Sequence, residues 1–319
     1  MVYQFSYRPL NKKFTRPVIT NHGIWEIRES VIIRLVDTTG KVSWGEISPI
    51  HWFGSETLQQ ALDFCNQLPA EITPEIIFDI PDKLPACQFG FESALENLAE
   101  THESINYQNL TYSGLLPAGK AALDQWKTLW RQGYQTFKWK IGVDEISKEI
   151  KIFNSLIQKL PKSAKLRLDA NGGLSYESAK LWLKICETLN NRIEFIEQPL
   201  SVDKFSEMLE LSNAYHTKIA LDESVATLQQ LEDCYKQGWP GIFVIKPGIV
   251  GSPSQLRKFC QQHQIDVVFS SVFETAIGRE AALKLAAELS QNNRAVGFGI
   301  NHFFTEKDSN WLKSLWNNH

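Results

Sequence analysis

Lys140, Asp169, Glu197, Asp222 and Lys246 each close a short run of β-forming residues, in TFKWKIG, KLRLDANGG, IEFIEQP, KIALDES and IFVIKPG. An acid that ends an apolar run such as LRLD, FIE or IALD is costly unless it is paired or bound to a cation. One such acid is commonly an ion pair at a strand end. Three in succession at one register favour a metal site. Carboxylates are hard oxygen ligands that suit Mg²⁺, with Mn²⁺ as the alternative, whereas zinc would want nitrogen or sulfur. Lys138 and Lys140 lie two apart in a strand, so both face one way and Trp139 the other. Two ammonium groups so placed depress each other's pKa, as partial desolvation does, and a lysine tuned downward is a base near neutral pH. Lysines facing a metal-bound anion suit removal of a proton beside a carboxylate.

The intervals between the five residues are 29, 28, 25 and 24. That rhythm fits one strand, one helix and two short loops, repeated. In a (β/α) barrel the carboxyl ends of all strands meet at one face, where active sites sit. A long stretch of chain thereby becomes one ring of three acids flanked by two lysines. The alternation begins near residue 109, with NLTYSGLL as the first strand and LPAGKAALDQWKTLWRQG as a helix stopped by Gly133. DVVFSS and AVGFGI supply the last two of eight strand candidates. An open doubly wound sheet would gather function at one switch point instead of on five successive strands, so a parallel barrel is favoured.

Residues 1–108 read as an α+β module. Strands are expected over 2–8 and 31–36, a Thr-Gly turn in TTGKVSWGE suggests a hairpin, and SETLQQALDFCNQL suggests a helix with a Ser N-cap. The fold expected is α/β: a barrel over 109–300 and an N-terminal α+β module over 1–108, completed by 301–319, which the resemblance described below implies is a capping domain.

A formal net charge of −3 over 319 residues offers no basic field for nucleic acid. The five cysteines are scattered, with no C-x-x-C pair, which argues against a disulfide framework or structural zinc. The N-terminus lacks an apolar signal core and no window approaches a membrane span, so a cytoplasmic location is expected. The residues alone set no oligomeric state.

In order and spacing, K-x-K at 138–140, D-A-N at 169–171, E-Q-P at 197–199, D-E-S at 222–224 and I-K-P at 245–247 resemble the enolase superfamily. WGEISPI at 44–50, FGFESAL at 89–95, LRLDAN at 166–171, VIKPGIVGS at 244–252 and FSSVFETAIG at 269–278 are similar to its o-succinylbenzoate synthase family, over essentially the whole chain. The resemblance implies a modified (β/α)7β TIM-like barrel beneath the cap, with Mg²⁺ on Asp169, Glu197 and Asp222. It implies a small-molecule carboxylate substrate, 2-succinyl-6-hydroxy-2,4-cyclohexadiene-1-carboxylate of menaquinone and phylloquinone biosynthesis. Lys140 would remove the proton α to the carboxylate and then assist loss of the hydroxyl. Lys246 would be a stabilising cation, and Lys138 would tune and position Lys140.

Ser270 and the backbone at Gly297 match positions that resemble the family's succinyl-carboxylate contacts. Arg167, on the strand face of Asp169, and Asn171, at the strand end, are further substrate-contact candidates. GFGIN at 297–301 departs from the family's usual G-L-D-T. It carries no acid, which argues against dipeptide epimerisation. The loop around 20–26 is expected to close over the site, with His22 and Trp25 lining it. Racemisation of N-succinylamino acids stays open on these residues. A non-catalytic ligand-binding barrel would show a degraded ring, and none of the five residues is lost.

Overall fold

Two sheets of opposite character divide the chain, and the computed structural model describes residues 1–20, 23–99, 107–189, 192–300 and 311–317. The first sheet is antiparallel, in the order β3-β2-β1-β4, from β1 (Tyr3–Thr20), β2 (Gly23–Val36), β3 (Val42–Ile47) and β4 (Glu71–Ile72). Asp37 builds the β2–β3 turn: its carboxylate accepts from the N–H groups of Thr39 at 2.8 Å and Lys41 at 3.0 Å. β1 and β2 run well past the expected 2–8 and 31–36. Their added length is largely polar and exposed, so it lacks the apolar alternation that marks a strand in sequence. His22 lies outside the described residues.

Helix Leu58–Gln67 is capped by Thr57 in a capping box with Gln60. The Ser expected there, Ser55, instead accepts from the N–H of Ile50 at 2.7 Å. Helix Pro85–Ala99 covers β3 at unusually close range. A Cβ on Gly45 would stand 2.1 Å from the carbonyl oxygen of Gly90, which explains a glycine in both WGEISPI and FGFESAL. The last described helix, Trp311–Asn317, returns to this sheet, with the Trp316 ring 4.7 Å from that of Trp44 and beneath Arg8. Residues 301–310 are outside the description.

The second sheet is parallel and has eight strands: β5 (Tyr112–Leu115), β6 (Thr136–Lys140), β7 (Lys165–Asp169), β8 (Ile193–Glu197), β9 (Ile219–Leu221), β10 (Ile242–Ile245), β11 (Asp266–Phe269) and β12 (Val296–Gly299). A helix follows each strand up to β11, giving (β/α)7β. β12 pairs with β5, and a bridge between Ser270 and Gly297 joins β11 to β12 and closes the barrel.

Alternation along the strands sorts their side chains into two cores. On β10, Phe243 and Ile245 face the helices, while Ile242 and Val244 face inward with Phe195, Ala220 and Val268. A bulge opposite Leu166 and Arg167 turns Glu194 of β8 inward, at the floor of the barrel. There Arg167, Glu194, Arg294 and Asp266 form one chain of ion pairs, each link 2.6–2.7 Å. Lys140 and Asp169 end their strands at the opposite end of the barrel.

Candidate active site

Strand parity and strand ends bring the five sequence-selected residues to one mouth. Lys138, Lys140, Asp169, Asp222 and Lys246 line a cavity of about 320 Å³ between barrel and cap, and Glu197 is buried beneath it. Ser270, Gly297 and Asn171 line the same cavity. So do Trp25, Trp52, Phe53 and Phe273, which form an aromatic wall from the cap and the loop after β11.

The acids are drawn to the lysines. Lys138 Nζ lies 2.9 Å from Asp169 Oδ2 and 2.8 Å from Glu197 Oε1. Lys246 Nζ is bonded to Asp222 Oδ1 and stands 3.9 Å from the Phe53 ring centroid. Burial alone would lower the Lys138 ammonium, but Asp169, Glu197 and Asp222 together hold it well above its usual range. The mutual depression of two lysines expected from sequence is therefore overruled for Lys138, because its nearest charges are anions. Lys140 has no hydrogen-bond or ion-pair partner among the described residues.

Burial pushes the Glu197 carboxyl up to about 8, with Asp169 and Asp222 adding to the rise against the pull of Lys138. Asp222 is raised by burial and by Glu223, against Lys246. Glu223, which the sequence reading passed over, is raised by burial and then by Asp169, and one of its oxygens is buried with no hydrogen-bond partner among the described residues. Its signal was present: it directly follows Asp222 in the strand-ending D-E-S.

Among the described residues no group of three ligating side chains already stands as a metal shell. The donor set nonetheless fits a hard divalent cation. Crowded, desolvated carboxylates and an orphaned carboxylate oxygen demand positive charge, and two ammonium groups supply it in this arrangement.

The supporting shell is built from the same motifs. Gln198, at a φ of 39°, accepts from the N–H groups of Asp222 at 3.0 Å and Ser224 at 3.2 Å, and donates to Ser224 Oγ at 2.8 Å. The Gln of E-Q-P thus fixes the loop that carries D-E-S. Glu149 accepts from the N–H groups of Gly142, Val143 and Asp144, at 2.9, 2.9 and 3.1 Å, and so anchors the turn after Lys140. Asn171 donates to Glu223 at 3.1 Å, while its own N–H donates to Asp169 Oδ1 at 3.1 Å. A Cβ on Gly297 would stand 2.6 Å from Ser270 Oγ, so glycine there is what admits the serine.

One candidate is corrected. Arg167 faces inward as Asp169 does, but two residues lower on β7 it belongs to the next layer of the barrel. Its guanidinium lies over Phe195, 4.8 Å from the ring centroid, and its Nε donates to Glu194 at 2.7 Å. It does not line the cavity, so it is no substrate contact in this structure.

Comparison with known proteins adds a second line of evidence. Residues 121–312 match the family described as Enolase C-terminal domain-like. The chain is 38% identical over 303 residues to the o-succinylbenzoate synthase of Thermosynechococcus vestitus, covering 94% of this chain and 93% of that one. It superposes with a TM-score of 0.91 and 36% identity on the crystal structure of o-succinylbenzoate synthase from Thermosynechococcus elongatus, complexed with Mg in the active site, over 99% and 100% of the two chains. The N-succinyl Arg/Lys racemase of Bacillus cereus shares the fold, with a TM-score of 0.80 over 96% and 89% of the chains at 16% identity.

Proposed function

This chain belongs to the enolase superfamily, and we propose that it is an o-succinylbenzoate synthase, a Mg²⁺-dependent lyase of the menaquinone and phylloquinone pathway. Its substrate is the small carboxylate 2-succinyl-6-hydroxy-2,4-cyclohexadiene-1-carboxylate, which loses water to give 2-succinylbenzoate. The carrying observation is that Lys140 faces the cavity with no partner among the described residues, while Lys138, on the same strand face, is committed to two acids.

Asp169, Glu197 and Asp222 would hold the metal. When bound, Mg²⁺ supplies a Lewis acid for negative charge on the substrate carboxylate. The Lys140 amine takes the proton from the ring carbon α to that carboxylate. The electron pair left behind forms the ring double bond as the C–O bond to the neighbouring hydroxyl breaks. The Lys140 ammonium returns its proton to the departing oxygen, and water and an aromatic ring result. One base serving both steps requires that proton and hydroxyl leave from the same face. Lys138 keeps the acids in register, and Lys246 sets a fixed cation on the other side of the ring. Ser270, the backbone at Gly297 and Asn171 hold the remaining polar groups of the substrate.

Racemisation of an N-succinylamino acid would need Lys246 to exchange a proton. Its ammonium is instead held by Asp222 and the face of Phe53, which favours the cation role. Residues 1–108 with 301–319 form the capping unit and 109–300 the catalytic unit, a division supported by the separate sheets. Among the described residues no helix is long and apolar enough to cross a membrane.

The test is purified protein with Mg²⁺, offered the cyclohexadiene substrate and an N-succinylamino acid in parallel. Rapid formation of the aromatic product is expected. Mg²⁺ binding without dehydration would overturn the assignment.

A further inference from the structure

Phe273 has a φ of 61°, a region that strains a bulky side chain and persists only where surrounding contacts enforce it. Its N–H donates to Ser271 Oγ at 3.0 Å, and that hydroxyl donates to Glu274 Oε2 at 2.8 Å. The carbonyl of Val272 accepts from the buried Arg28 at 2.9 Å. So held, the Phe273 ring crosses from the barrel into the cap. It meets Phe14 edge-on at 5.5 Å and Trp25 at 5.6 Å, and those two meet each other at 5.2 Å. Trp25 in turn stands edge-on to Trp52 at 5.0 Å. Trp25, Trp52 and Phe273 line the cavity, whereas Phe14 does not. Phe14 is only 4% exposed, and it sits where the β1–β2 register breaks between Lys13 and Val18. Irregularities of that kind re-aim a side chain.

We propose that Phe14 is a positioning residue that sets Trp25 and Phe273 from behind as a rigid wall, and so makes the cavity favour a planar ring over an acyclic chain of similar charge. The inference rests on the ring-dehydration reading above. Aromatic side chains locked edge-to-face have little freedom left to lose on binding, so a flat ligand meets a preorganised surface. A flexible acyl chain must be ordered first and covers that surface less well.

The experiment compares wild type with Phe14→Leu, both full-length and Mg²⁺-loaded, by calorimetric titration with 2-succinylbenzoate and with N-succinylvaline, and by KM and kcat on the cyclohexadiene substrate. Phe14→Met, closer in volume, takes its place if the leucine variant does not fold. Kd for 2-succinylbenzoate and KM are expected to rise about three- to tenfold, the size of one lost aromatic pair. Kd for N-succinylvaline and kcat are expected to stay within about twofold of wild type. Equal weakening of both ligands, or a fall in Tm with both affinities unchanged, would overturn the proposal. Wild type that binds both ligands but fails to dehydrate the ring substrate would sink the assigned activity instead, and the two Kd values would still read the wall.

Discussion

Lys138 and Lys140 share one strand face but hold different stations: Lys138 bridges Asp169 at 2.9 Å and Glu197 at 2.8 Å, and Lys140 beside them has no partner among the described residues. In the proposed mechanism the base is the lysine whose amine is not spent on the acids. Lys140→Ala should lower kcat by about 10³-fold or more, within or beyond the range of a lost general base, while Mg²⁺ still binds. Single-turnover assays beside a metal titration check this, and retained turnover would remove Lys140 from the mechanism.

Lys138 has the converse signature. Lys138→Met leaves Asp169 and Glu197 desolvated without their counter-ion, so the Mg²⁺-free protein should lose about 3 kcal/mol of stability. Added Mg²⁺ should raise Tm more in this variant than in wild type. Thermal melts in chelator and in excess metal measure both quantities.

The side-chain oxygen of Gln198 accepts from the backbone N–H of Asp222. Gln198→Ala should raise the Mg²⁺ concentration needed for half-maximal activity by about 10- to 100-fold, as loss of an outer-shell partner commonly does. A matching loss of kcat at saturating metal would point to general collapse of the site instead.

Gly297 and Ser270 are sterically complementary, with 2.6 Å left for a Cβ. Gly297→Ala should displace the serine and raise KM about tenfold, with a smaller effect on kcat. Pairing it with Ser270→Gly should recover part of the Mg²⁺-loaded enzyme's fold stability but not its KM, because the serine contact is gone. Steady-state kinetics on both variants separate the terms.

Glu274 supplies a pH test away from the metal ligands. Burial raises its carboxyl above the usual 4.5, its bonds to Ser271 and Val272 pull the other way, and Glu46 adds to the rise. Arg28, brought down to about 10 by burial, faces both acids. A raised acid contributes stability below pH 4.5 and loses that contribution as pH climbs through its folded value. The Tm of Glu274→Gln should therefore gain on wild type as pH rises from 4.5, and a pH-independent gap would contradict it.

The ring of acids and lysines was legible in the chain because each member ends a strand, and strand ends recur at a nearly constant interval. The barrel and the helix stop at Gly133 followed from the same periodicity, while the N-terminal module stood out by departing from it. By itself the sequence determined which groups reach one mouth and which cation suits them. Tertiary structure decided how those groups pair. Parity places Arg167 on the face of Asp169, but only the barrel's layering and the bulge at Glu194 send it to the floor. Of the aromatic wall only Trp25 was expected, from the loop around 20–26, while Phe53 and Phe273 come from distant segments with no shared period. Local spacing encodes direction along one strand. Distance between strands is set by closure of the barrel and by the seat of the cap upon it.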